Sequence, residues 1–314
     1  MNRLKGLLRF LDAYWFGPTP AWPLAAFRAA FAAVLTAYFS MRMWNLQECL
    51  GDSPARVPDL DVTAGSILRY AQPFYFAPVS DAMMPWVVGS FYFLALALFV
   101  GCFTRLAAGL LVLWVSYVSL VDWIGCYSFN RSALLVLVML SVMPGGKVWS
   151  VDAKLRAWWS RRRKGTVTEP ASKKNPPAFE VLISAWPVRT IQWFLISWYS
   201  LSAIQKIHGS WYLFSSDDVF WCQLQYLYHG PIGFWALQHI PMFVFGILQM
   251  AALYFELFAP LWLIPRRTRP WGMITGITMH LLIALFMIKL WYFSAEMISF
   301  YIVFLPIGRK SNAC

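Results

Sequence analysis

The residues of this 314-residue chain best equipped for chemistry are Lys206, Glu256 and His280, each set in a long apolar run. An ionisable side chain loses its hydration in such surroundings, so it marks a functional site by default. Lys206 stands in Trp198–Trp211, WYSLSAIQKIHGSW, where an aromatic and apolar stretch meets Gln205, Lys206 and His208, then Gly209, Ser210 and Trp211. An amine accepts a proton only in its neutral form, which desolvation favours, so a lysine here suits a general base. Each residue also has a plainer use. Lys206 and Lys289 sit near predicted helix ends, where long stems reach headgroups, and for Lys289 that use is preferred. Arg28 and Glu256 have opposite charges and can neutralise each other within a helix bundle. His280 can be a hydrogen-bonded packing residue. Together, a Lys, a Glu, a His and an Arg in one bundle point to a polar cavity.

Composition sets the class of protein that must position them. The chain is 60% hydrophobic and 13% charged, where soluble domains average about 45–50% apolar and about 25% charged. Apolar runs recur, each of the roughly 20 residues that cross a bilayer core as a helix. The sequence predicts an all-α, polytopic helical membrane bundle of about eight spans. The expected location is a membrane.

Met1–Phe16 sets Arg3, Lys5 and Arg9 among leucines and aromatics, the spacing of an amphipathic helix lying in the interface, and Gly17-Pro18 ends it. Spans are expected over about Trp22–Met43, then from about Pro85 to Phe103, on to Val121, and a short fourth ending near Met143 into which part of Asp122–Arg131 can extend. After Pro144-Gly145-Gly146, Ser150 can cap a helix with Asp152 in its first turn, where negative charge meets the helix dipole. Leu155, Trp158 and Trp159 would lie in the interface, with Arg161–Lys164 toward lipid phosphates. A polar linker, Gly165–Pro177, completes the basic loop at 147–180. The fifth span is about Trp186–Lys206. Ile207–Ile240 reads as an amphipathic outer segment. The last three spans are about Pro241–Ile264, a seventh to Leu290 and an eighth to Pro306.

A net charge of +12 would suggest nucleic acid as a partner in a soluble protein. Here the basic residues follow the loops, so the partner expected is the bilayer and not nucleic acid. With both termini cytoplasmic, the inner loops hold 19 of the 26 lysines and arginines, and the outer loops hold Arg42, Arg56 and Arg69. That is the positive-inside pattern.

The lysine stretch, an aromatic, then small residues, then Lys and five residues later a Trp, resembles the motif of the vitamin K-dependent gamma-carboxylase-like membrane proteins, whose bacterial branch is the horizontally transferred transmembrane (HTTM) family. Further similarities follow in order along the chain. Trp22–Arg28 looks like the family's first span, and Tyr127–Ser132, with Asn130-Arg131, falls where the carboxylases open a span with Asn-His. Trp149–Asp152 resembles a cytoplasmic Ser-x-Asp turn. Glu256, Pro260, Thr268-Arg269, His280, Phe286 and Phe293 resemble the pattern of the last third.

The resemblance implies one HTTM-like domain over residues 1–314, Lys206 as the base for a quinone or hydroquinone, and His280 at the quinone site. Glu256, Trp211, Arg28, Asn130 and Arg131 are the candidates for holding that cofactor. In the carboxylases the hydroquinone reacts with oxygen to give a strong base that removes a gamma proton from a peptide glutamate, and the carbanion adds carbon dioxide. Arg131 stands in the histidine position, where its guanidinium stays charged. The soluble domain of the carboxylases does not follow the membrane part, so a separate soluble partner is one expectation. The substrate expected is a peptide or lipid-like molecule. The competing reading is a non-catalytic membrane partner in the maturation or export of a secreted, toxin-like peptide.

No metal spacing stands out, and His208, His229 and His239 read as interfacial residues. No phosphate loop, dinucleotide fingerprint or serine nucleophile motif is present. Cys49, Cys126 and Cys222 fall in outer segments and can form a disulfide if the outside is oxidising. Trp198, Tyr199, Trp291 and Tyr292 read as part of an interfacial aromatic belt.

Overall fold

A computed structural model describes residues 2–45, 50–51, 79–121, 128–163, 177–209, 211, 219–225 and 229–305. Among them 81% are helical, in 13 α-helices, so the chain is mostly α. Contacts divide it into two compact units, Met1–Phe27 with Leu182–Cys314, and Arg28–Val181. Two helices, Trp22–Arg42 and Thr104–Val121, are long and apolar enough to cross a membrane, and Met84–Val100, Ser128–Val142 and Met242–Leu257 are shorter apolar helices.

In the first unit, α1 (Asn2–Phe16) carries exposed Leu4, Leu7, Leu8 and Phe10 beside its basic residues. Gly17 closes it, its amide on the Ala13 carbonyl at 3.1 Å. Pro18–Pro20 (β1) then pairs antiparallel with Leu182–Ser184 (β2), Thr19 opposite Ile183. This short ribbon is the one departure from an all-helical plan among the described residues. Prolines suit it because a two-stranded ribbon has free edges and asks few amides to donate. The ribbon leads directly into α7 (Trp186–His208), whose first turn carries Pro187, where a missing amide costs nothing.

After short helices α8 (Val219–Gln223) and α9 (Pro231–His239), α10 (Met242–Leu257) and α11 (Ala259–Leu263) replace the single sixth span expected. The break falls at Phe258, just before Pro260, which cannot donate to the helix ladder. α12 (Arg269–Phe286) ends earlier than Leu290, in a 3-10 turn over Ile288–Leu290. α13 (Trp291–Phe300) likewise tightens into a 3-10 turn over Tyr301–Phe304. Lys289 is exposed in the first of these turns.

The second unit receives most of α2 (Trp22–Arg42), then α3 (Met84–Val100), α4 (Thr104–Val121), α5 (Ser128–Val142) and α6 (Val151–Arg163). α5 begins at Ser128, so the polar Ser128–Arg131 stretch is part of the helix expected as the fourth span. Phe39, Phe91 and Trp114 form its aromatic core, with Phe39 edge-on to Trp114 at 5.0 Å. α3 ends in a Schellman-type cap: Cys102 and Gly101 donate to Ala97 and Leu98, with Gly101 left-handed at φ 72°. A Cβ there would fall 1.8 Å from Arg28 Nη1, so both backbone and space require glycine.

Ser150 caps α6, its hydroxyl accepting from the Ala153 amide at 3.0 Å. Asp152, by contrast, turns to an earlier helix. Its carboxylate accepts from the amides of Phe103 (2.7 Å) and Thr104 (3.0 Å) and from the Thr104 hydroxyl (2.9 Å), which makes it the cap of α4. Cys102 and Cys222 are free thiols. Cys49, Cys126 and Cys314, and with them the proposed disulfide partners, lie outside the described residues, as do Lys164, Arg309 and Lys310.

Candidate functional site

Five helices of the first unit line a cavity of about 560 Å³, the short α8 through Phe220 and Gln223. Tyr199, Ser202 and Lys206 come from α7, and Gln249, Ala252 and Glu256 from α10, at the three- and four-residue steps that place side chains on one helix face. α12 adds Met279, His280 and Ile283, and α13 adds Phe293 and Met297. The walls are mainly apolar. Trp211 closes one side.

The Lys206 side chain faces the interior of the unit. Side chains on a helix tilt toward its N-terminus, and the Lys206 stem runs back into the cavity, where its ammonium binds Glu256 Oε1. The side chains of the pair are 19% and 7% exposed. The ammonium also lies 4.9 Å from the centre of the Trp211 ring, a cation–π arrangement. Helix dipoles account for part of the pairing. A cation in the last turn of α7 is favourable, whereas a carboxylate in the last turn of α10 needs a neutralising partner.

That partner is not Arg28. Arg28 belongs to the second unit, where its guanidinium donates to the Trp149 carbonyl at 2.9 Å and interacts electrostatically with Asp152. The expectation of an Arg28–Glu256 pair is therefore corrected. Opposite charges on different helices cannot be matched by sequence order alone.

His280 is 2% exposed. Its Nε2 shares a hydrogen bond of 2.8 Å with the Tyr199 hydroxyl, which in turn meets the Tyr301 hydroxyl at 2.7 Å. The order of donors in this chain of three is coupled, because each hydroxyl has one proton to give. Tyr199 is thus a buried member of the site and not part of an interfacial belt. Tyr301 reaches it over Gly276, where a Cβ would stand 1.7 Å from the hydroxyl oxygen. Two buried polar atoms here have no hydrogen-bond partner among the described residues: Glu256 Oε2 and His280 Nδ1.

Of the candidate residues, the structure brings together Lys206, Glu256, His280 and Trp211. Arg28, Asn130 and Arg131 do not line this cavity. Asn130 is buried in the second unit, accepting from the Tyr38 hydroxyl at 2.5 Å and donating to Ser119 at 3.1 Å, while Arg131 is exposed at the start of α5. Tyr301, Gly276 and Gln249 carried no sequence signal. Tyr199 carried one: it lies two helical turns before Lys206, on the same face. His208 is exposed, and His229 and His239 bond the carbonyls of Leu224 (2.9 Å) and Trp235 (2.8 Å). No cluster of three metal-binding side chains occurs among the described residues.

Comparisons with protein-family models, with curated proteins and with solved structures return no match for this chain.

Proposed function

We propose that the chain is an integral membrane protein of eight spans, similar in plan to the gamma-carboxylase-like HTTM proteins. Its cavity would bind a quinone or comparable lipid-soluble cofactor, and its Lys206–Glu256 pair would take a proton from that cofactor in the modification of a peptide or lipid-like substrate. A bacterial inner membrane with cytoplasmic termini fits the distribution of basic residues. The observation that carries the proposal is an acid–base pair facing an apolar cavity, with Glu256 Oε2 and His280 Nδ1 unpartnered among the described residues.

The membrane part draws support from an inverted polarity. Phe93, Leu96, Leu113, Phe243, Leu261 and Trp271 are each more than half exposed, whereas Gln192, Gln249, Glu256, His280 and Glu296 are buried. Water would disfavour that arrangement and lipid would stabilise it. Eight helices or helix pairs follow the eight apolar runs.

The residues fit a quinone headgroup. Buried polar atoms without partners are costly unless a ligand satisfies them, and Glu256 and His280, each with one such atom among the described residues, line the cavity beside aromatic and aliphatic side chains that suit a ring and its tail. When bound, a hydroquinone supplies reducing equivalents and an acidic hydroxyl. Lys206 in its neutral form would accept that proton, and the Glu256 carboxylate would hold the ammonium that results. Tyr199 and Tyr301 hold the His280 ring and its tautomer. Phe255, Phe293 and Trp198 keep water from competing for the same groups.

The test uses the tryptophans in the lining. Menadione, a naphthoquinone with no tail, should quench the fluorescence of the detergent-solubilised protein saturably, and Trp198→Phe with Trp211→Phe should remove most of that quenching. Quenching that rises linearly and never saturates would remove the quinone reading and leave the non-catalytic peptide-maturation partner.

A further inference from the structure

A cavity of about 940 Å³ in the second unit has a chemistry unlike the first. It lies between the turn before α4, the Met143–Lys147 turn and α6. Three exposed cations line it, Arg105, Lys147 and Arg156, against a single acid among the described residues, Asp152. That acid is already committed. Its two oxygens carry the three hydrogen bonds that cap α4, and its charge faces the buried Arg28 guanidinium. Among the described residues the three cations at the rim are therefore left without a neutralising carboxylate.

They also converge on one turn. Arg105 donates through Nε to the Met143 carbonyl at 3.3 Å, Arg156 donates through Nη2 to the Gly146 carbonyl, and Lys147 belongs to the turn itself. Each guanidinium is anchored by one nitrogen and keeps others to donate, an arrangement that favours planar recognition of an oxyanion. Apolar side chains, Leu106, Leu155 and Trp159, stand exposed around the same cavity. A soluble anion would gain nothing from them, whereas acyl chains beside a phosphate would.

We infer that this cavity is a discrete site for the phosphate headgroup of an anionic phospholipid, resting on the membrane reading above. Basic pockets at the cytoplasmic ends of helices meet the negative leaflet, with each cation near the surface contributing about fivefold in affinity. Lys147 makes no side-chain hydrogen bond among the described residues, so its substitution probes the site without disturbing the turn.

The experiment titrates dioleoylphosphatidylglycerol and dioleoylphosphatidylcholine onto the protein in mild detergent and counts retained lipids by native mass spectrometry. The expected result is selective retention of phosphatidylglycerol, weakened about fivefold by Lys147→Gln and roughly a hundredfold with Arg105→Gln and Arg156→Gln added. Lys154→Gln, on the same helix but outside the cavity, should leave retention unchanged. Equal losses from that control would overturn the discrete site in favour of general surface charge. Displacement of the lipid by equimolar inorganic phosphate would overturn the lipid and leave a free-anion site. A protein that enters phosphatidylcholine bilayers without preferring the anionic lipid sinks this inference alone. One that enters no bilayer sinks the membrane reading with it.

Discussion

The ammonium of Lys206 is bound by the carboxylate of Glu256, 50 residues further along the chain. Removing one partner leaves the other charge buried and unpaired, which costs about 3–5 kcal/mol for a fully enclosed pair. Partial exposure of the lysine puts Glu256→Met and Lys206→Met below that range. The double substitution Lys206→Met with Glu256→Met should recover most of the loss when thermal unfolding is followed in detergent. Arg28→Met with Glu256→Met should instead show additive losses, since those residues do not meet. Additive losses for the lysine pair would refute the contact.

Gly276 makes room for the Tyr301 hydroxyl, which completes the chain through Tyr199 to His280. Gly276→Ala should displace that ring and cost about 1–3 kcal/mol, the usual penalty of overpacking. Shortening the obstructing side chain with Tyr301→Leu should make the same alanine much cheaper, a coupling measurable by double-mutant cycle. Equal costs in both backgrounds would mean that Tyr301 does not occupy the space.

Much of the helical plan was legible because its signals are local. Apolar runs, Gly17-Pro18 after α1, Pro187 opening α7 and Ser150 capping α6 each act within a few residues. The partners of Glu256 and Asp152 were not legible, because which spans lie side by side depends on how whole helix faces pack. Tyr199 looked like one aromatic among many near a helix end. Only the approach of α12 and the 3-10 turn at Tyr301 makes it a buried link to His280. Positions of masked polarity, such as Gly276, have no side chain to announce them.

Asp152 offers a direct check on long-range capping. Asp152→Ala removes the acceptor of three hydrogen bonds at the start of α4, and losing a cap costs about 0.5–2 kcal/mol. The loss should reach the upper part of that range and exceed that of Ser150→Ala, which removes one amide's partner at the start of α6. Thermal midpoints of the two variants in one detergent decide the order. A larger effect at Ser150 would show that Asp152 contributes nothing beyond its own helix.

Orientation is testable at two exposed, described positions. With native cysteines replaced, a membrane-impermeant maleimide should label Ala82→Cys from outside intact cells and reach Lys154→Cys only after lysis. The basic residues of α6 set this expectation. The opposite pattern would invert the topology and put the Lys206 end of α7 on the cytoplasmic side.

The proposed chemistry turns on whether Lys206 must release and accept a proton or only supply positive charge. Oxygen-dependent consumption of a naphthohydroquinone by the reconstituted protein, followed by absorbance, separates the two. Lys206→Met deletes the amine while keeping an apolar stem. Paired with Glu256→Gln, it also avoids leaving a buried anion. Loss of a general base lowers rate about a hundred- to ten-thousandfold, so this variant should be nearly inactive while still binding menadione. Lys206→Arg keeps the ion pair to Glu256 and the cation over Trp211, but a guanidinium does not give up its proton near neutral pH. Its rate should therefore fall as far as that of the methionine variant, although its stability stays close to that of the native protein. A Lys206→Arg protein that consumes hydroquinone at the native rate would eliminate Lys206 as the base and reduce it to a fixed counter-charge for Glu256.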